Sequence, residues 1–207
     1  MRLLGMMLAL LLIGCGSQPD SQPEKVALND AAKGAFYPYR DARFAREQQP
    51  SVAQQDDACA LLAARPHWRE ALQELRHNWQ IEPWYVLAFM YQESRFNPTA
   101  MSKSQAYGLA QVKEPTWEWY ELKRGRVNTS RERFDDATDF MGWYAHQNRI
   151  RNGIELNDVR NQYLAYHEGL GGYEQASFIG KPWLLTVTDK VVDRAMMYQA
   201  QLFTCPL

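Results

Sequence analysis

"EPWYVLAFMYQESRFNPTAMSKSQAYGLAQV" spans Glu82 to Val112, and its first half decides the fold. Pro83 suits the first position of a helix, where the N–H that proline lacks would have no partner. From Trp84 to Met90 the apolar residues wrap most of the way round the helix. A surface helix would carry a polar stripe, so this pattern predicts a helix enclosed by its neighbours. The run ends on one carboxylate, Glu93, with no acidic or histidine residue beside it. At a helix C-terminus a carboxylate faces the negative pole of the helix dipole, which disfavours its charge. Apolar neighbours such as Phe89, Met90 or Phe96 would also strip water from it. Both effects push the pKa up and favour an acid that holds its proton near neutral pH. The plainer alternative is a solvated residue at a helix end.

The segments around this helix are helical too. "DDACALLAAR" (56–65) and "HWREALQELRHNW" (67–79) carry apolar residues at helical spacing. "EPTWEWYELKRG" (114–125) again places Pro near its start and Gly at its end. "DDATDFMGWYAHQNRIRNG" (135–153) and "ELNDVRNQYLAYHEG" (155–169) each close on Gly. "TDKVVDRAMMYQAQLF" (188–203) puts Val192, Ala195, Met196, Gln199 and Leu202 on one stripe. No stretch alternates convincingly as a strand would. The expectation is an all-α domain of seven or eight helices over residues 56–207.

Composition narrows the function. Among 207 residues, 23 Lys and Arg nearly cancel 24 Asp and Glu, so no basic field argues for nucleic acid. Seven Trp and eleven Tyr suit either an aromatic core or surfaces that stack on sugar rings. There is no P-loop, no H-E-x-x-H and no G-x-S-x-G. No C-x-x-C or Cys/His cluster suggests a metal site, and no cofactor is implied.

The N-terminus lies apart from the fold. Arg2 precedes an apolar run from Leu3 to Ile13, too short to span a bilayer but suited to a signal peptide over residues 1–14. Leu12-Ile13-Gly14-Cys15 resembles a bacterial lipobox, which implies cleavage before Cys15 and lipidation there. Gly16, rather than Asp, follows the cysteine. By resemblance to enterobacterial sorting rules this favours a membrane anchor on the periplasmic face of the outer membrane. Residues 15–55 then read as a lipidated tether, polar and rich in proline, with one aromatic and basic patch at "AFYPYRDARF". Two cysteines remain, Cys59 and Cys205. An even remainder in an oxidising envelope suggests a disulfide; the alternative is two buried thiols.

The second half of the opening stretch carries a family resemblance. Glu93-Ser94, Asn97-Pro98-Thr99-Ala100-Met101-Ser102 and Gly108-Leu109-Ala110-Gln111 resemble the catalytic segment of SLT-type lytic transglycosylases. A third element, usually Ala-Tyr-Asn-Ala-Gly, stands here as Ala165-Tyr166-His167-Glu168-Gly169, in the same order and at matching spacing. The resemblance covers about residues 59–202. It implies a lysozyme-like helical domain with a substrate groove that takes peptidoglycan glycan strands.

By that resemblance Glu93 is the sole catalytic acid and base, and Tyr166 hydrogen-bonds near it. Ser102 contacts the reacting sugar, while Gln111 and the Gly108–Ala110 backbone line the groove. Ser102 would also serve as an N-cap if "SKSQAYGLAQ" were helical. Two of these elements depart from the family pattern. Ala110 replaces Met, which would widen the groove, with Tyr107 as a compensating stacking face. His167-Glu168 replaces Asn-Ala, which makes His167 either a substrate contact or an exposed helix end. The implied reaction cleaves the β-1,4 bond between N-acetylmuramic acid and N-acetylglucosamine and closes a 1,6-anhydro ring. One rival is a muramidase-type hydrolase with Asp135, Asp136 or Glu168 as its second carboxylate. The other is a wall-binding lipoprotein without turnover.

Overall fold

The computed structural model describes residues 47–207. The signal peptide, Cys15 and the tether up to residue 46 lie outside the described residues. Among the described residues eight helices follow one another: α1 (Val52–Gln55), α2 (Ala58–Ala64), α3 (Pro66–Trp79), α4 (Pro83–Ser94), α5 (Glu114–Arg124), α6 (Phe134–Asn152), α7 (Val159–Glu174) and α8 (Pro182–Leu202). Isolated bridges are the only β-pairing among the described residues.

The helix of the opening stretch is α4, and every residue from Pro83 to Met90 is buried. It packs chiefly on α8, while α3 packs on α6 and α7 lies against both α6 and α8. The buried stripe of α8 differs from the expected one. Leu184, Thr188, Val191, Ala195, Tyr198 and Leu202 face inward, whereas Met196 is exposed and Val192 and Gln199 are half-buried. Spacings of three and four select either register, and the closer fit to α4 decides between them.

Residues 47–55, expected in the tether, are docked on the domain. The Glu47 carboxylate accepts from Trp68 Nε1 at 3.1 Å and pairs with His67 Nε2 at 2.8 Å. Ser51 and Gln54 form a reciprocal capping box at the start of α1. The Tyr198 hydroxyl donates to the Gln55 carbonyl, and Ala58 N–H donates to Gln201 Oε1 at 2.8 Å.

Cys59 of α2 and Cys205, just past α8, form a disulfide. It links residues 146 apart, nearly the two ends of the domain. In the chain-entropy model a loop of that length stabilises the fold by about 5 kcal/mol. Replacing both cysteines with serine is expected to lower unfolding stability by several kcal/mol, approaching that bound, in urea denaturation. Adding a reductant to the wild type should produce the same loss, and no loss in either case would contradict the staple.

Candidate active site

The site is built at the C-terminal end of α4. The helix stops at Arg95 and Phe96, two consecutive residues with φ of 55° and 56°. This left-handed turn is costly for residues with a Cβ, and packing holds it in place. Phe96 is fully buried with its ring 5.6 Å from Trp68, and the Arg95 guanidinium lies 3.7 Å from the Tyr91 ring centre. Glu93 is thereby fixed in the last turn of an anchored helix.

The chain then folds back over the helix end. Residues 97–113 form turns and a small antiparallel bridge rather than a helix. Tyr107 pairs with Met101 and Val112. Ser102 is therefore not an N-cap. Its Oγ accepts from Ala106 N–H at 2.9 Å and lies 3.1 Å from Ser104 Oγ. Ser94 ties this loop to α4, its hydroxyl donating to the Leu109 carbonyl at 2.7 Å. Gly108 has φ of 82°, and a Cβ there would sit 2.2 Å from the Arg131 carbonyl oxygen. Only glycine fits such an approach. Gln111 Nε2 closes the turn by donating to the carbonyls of Ala100 (2.9 Å) and Gly108 (3.0 Å).

An aromatic layer from α6 and α7 lies against Glu93. The Tyr166 hydroxyl donates to the Ala110 carbonyl at 2.5 Å. Its ring meets Tyr144 and Phe89 edge-on at 5.6 and 5.7 Å. Tyr163, one turn earlier on α7, meets Phe89 at 5.0 Å, and its side chain interacts with Glu93. Tyr166 hydrogen-bonds to a backbone carbonyl near Glu93, and Tyr163 is a second α7 tyrosine beside the acid. Its i, i+3 spacing from Tyr166 was the signal available in the sequence.

Glu93 is half-buried as a residue, with surface open to a ligand, yet its carboxyl group is enclosed by this layer. Burial pushes its pKa up to about 7, and the Tyr163 hydrogen bond, which favours the charged form, pulls it back only partly. Tyr166 is held protonated well above the ordinary tyrosine value, first by burial and then by the nearby Glu93 charge.

A groove of about 510 Å³ opens over Glu93. Ser102, Gln111, Tyr166 and His167 line it, with Phe140 and Tyr144 along the floor. Three expected lining residues do not. Ala110 is 1% exposed and faces the core rather than the groove. Gly108 is spent on the approach to Arg131. Tyr107 donates its hydroxyl to Glu132 and receives the Arg131 guanidinium 5.1 Å from its ring centre.

Of the three candidate second carboxylates, Asp136 is fully buried. It holds Arg126, Arg133 and the Ser130 N–H in a structural knot. Asp135 lies on a different cleft, beside His67 and Glu74. Glu168 does line the groove. Its oxygens accept from Lys181 Nζ at 2.8 and 2.7 Å and from the Ser177 hydroxyl, and His167 Nδ1 lies 3.1 Å away. Burial alone would raise its pKa, but Lys181, Ser177 and His167 outweigh that and hold it below the ordinary value. The groove therefore joins one proton-holding carboxyl to one clamped carboxylate.

The sequence profile of the family described as "Transglycosylase SLT domain" matches residues 3–205. The chain belongs to the transglycosylase SLT domain family. Among solved structures it is similar to an inactive mutant of the lytic transglycosylase Slt from Pseudomonas aeruginosa. The match has a TM-score of 0.53 and 18% identity, covering 65% of this chain and 24% of that one. The chain thus spans about a quarter of the length of that protein. No curated protein matches in sequence. The SLT fold seen here is lysozyme-like and all-helical among the described residues.

The raised pKa has a consequence for stability. Folded Glu93 keeps its proton up to about pH 7, whereas unfolded it releases the proton near 4.5. The folded state therefore binds more protons in that window, and stability falls as pH rises through it. Discounted for the open groove, the loss is about 2–3 kcal/mol. Glu93→Gln should remove it, so the stability of the variant relative to wild type should grow by that amount from pH 5 to pH 8 in urea denaturation. A difference independent of pH would show that Glu93 titrates as a solvated residue.

Proposed function

We propose that this SLT domain is a peptidoglycan lytic transglycosylase acting on the β-1,4 bond between N-acetylmuramic acid and N-acetylglucosamine. The observation that carries the reading is Glu93: one enclosed carboxyl, poised near neutral pH, on an open groove of about 510 Å³. Such a group can give a proton and take one back in a single cycle.

Glu93 in its acid form protonates the glycosidic oxygen, and the C1–O bond breaks. The substrate's 2-acetamido oxygen stabilises the electron-poor C1. The Glu93 carboxylate then takes the proton of the C6 hydroxyl, and that oxygen closes onto C1 as the 1,6-anhydro ring. Glu93 ends protonated, and no water is consumed. Tyr163 favours the carboxylate stage, because its interaction with Glu93 lowers the pKa of the acid. Tyr166 fixes the Ala110 carbonyl and hence the loop that bears Gln111. Hydrolysis by the usual two-carboxylate route would need a second carboxylate as base or nucleophile. Glu168 is the groove's other carboxylate, and Lys181 and Ser177 already occupy its oxygens. The leader and Cys15 support placement in the envelope, lipid-anchored on the periplasmic face of the outer membrane.

Mass spectrometry of digested peptidoglycan tests this reading. Products one water lighter than hydrolytic fragments, without new reducing ends, are expected from the wild type. Glu93→Gln should lower turnover at least about a thousandfold while glycan binding persists. New reducing ends would establish a hydrolase. Binding without turnover in both proteins would establish a wall-binding module.

A further inference from the structure

The departure from the family pattern at His167-Glu168 has a structural use. Gly169 breaks α7 with φ of 76° and ψ of 164°, so the residues just before it stand at a kink. Glu168 uses that place to reach the connection between α7 and α8. Its side chain is 2% exposed and clamped by Ser177 and Lys181. Gly172 lies under the same clamp, where a Cβ would meet Glu168 Cβ at 3.1 Å and Ser177 Oγ at 3.2 Å.

Lys181 is the N-cap residue of α8, and Pro182 opens the helix. Clamping Lys181 therefore fixes where α8 begins, and Trp183 sits in its first turn. The Trp183 ring stands edge-on to His167, with centroids 5.3 Å apart and planes at 74°. Trp183 is 55% exposed although it is among the largest apolar side chains. An indole left open to water forfeits burial that the core would reward. His167 lines the groove, so the exposed ring continues from the groove's edge.

We infer that His167 and Trp183 form an outer sugar-binding platform, on which one pyranose ring of the glycan stacks beyond the sugars at the cleaved bond. Glu168 and Lys181 act as positioning residues that hold Trp183 there. The chemistry fits the chain of substrate proposed above, on which this inference rests. Pyranose rings present apolar C–H faces to an aromatic ring; with Nδ1 turned to Glu168, His167 Nε2 offers an acceptor and the Lys181 ammonium a donor to hydroxyls at the rim. The role also explains why Glu168 lines the groove without being free for chemistry.

The test measures binding of peptide-free glycan fragments of two to eight sugars by calorimetry. The full chain carries Glu93→Gln so that no fragment is consumed. Adding Trp183→Ala should weaken the longest fragments about tenfold and leave the shortest unchanged. Trp183→Phe should recover most of the loss. Lys181→Met should reproduce the length-dependent loss and shift tryptophan emission, with an unaltered far-ultraviolet circular dichroism spectrum as the fold control. If fragments bind and Trp183→Ala weakens all lengths equally, or none, the platform is refuted and the peptidoglycan reading stands. If the Glu93→Gln chain binds no glycan of any length, the peptidoglycan reading fails, and the platform with it.

Discussion

A carboxyl group held away from water at the end of a buried helix is the constraint on which the rest of this structure depends. Ionising Glu93 inside the fold is unfavourable, and the protein bears that cost because the helix beneath it is enclosed on all sides. The enclosure of α4 from Pro83 to Met90 anchors the turn at Arg95 and Phe96. That turn in turn fixes Glu93 against the tyrosines of α7. Loosening any one of these would let water reach the carboxyl and return it to an ordinary acid.

The surrounding parts serve the same end in different ways. Ser94, the neighbour of Glu93, pins the 97–113 loop over the helix through the Leu109 carbonyl. Tyr166 pins it from the other side through the Ala110 carbonyl. Two side-chain hydroxyls thus hold adjacent peptide units of one loop, one from the helix of the acid and one from the helix opposite. The disulfide acts at a greater distance, tying α2 to the end of α8 and so steadying the helix on which α4 packs. Within the groove the two carboxyl groups are pushed in opposite directions by their surroundings: Glu93 upward by burial, Glu168 downward by Lys181 and hydrogen bonds. Environments that separate like groups in this way divide chemical roles between them.

Much of this was legible in the chain. The all-α class followed from helical periodicity, and the buried state of α4 from its lack of a polar face. The place of Glu93 at a helix end and its raised pKa followed from the same run. What stayed hidden was decided by contacts between distant segments. Tyr163 and Tyr166 share one face of α7, and only the approach of that helix to α4 brings both beside Glu93. Gly108 and Ala110 sit in a family motif that names them as groove residues. Yet backbone packing against Arg131 and Tyr166 turns them away from the groove. The α8 stripe was misread by one register because amphipathic spacing admits two solutions. Gly169 resembled a helix end, but its positive φ makes a kink after which α7 continues to Glu174.

The central claim is that Glu93 holds its proton near neutral pH because the fold withdraws water from it. Carbon-13 NMR of the glutamate side-chain carboxyl carbons, followed through pH and assigned by the resonance missing in Glu93→Gln, measures this directly. The account predicts a midpoint near pH 7 for Glu93. A midpoint near 4.5 would contradict it and return Glu93 to the solvated helix end that the sequence alone also allowed.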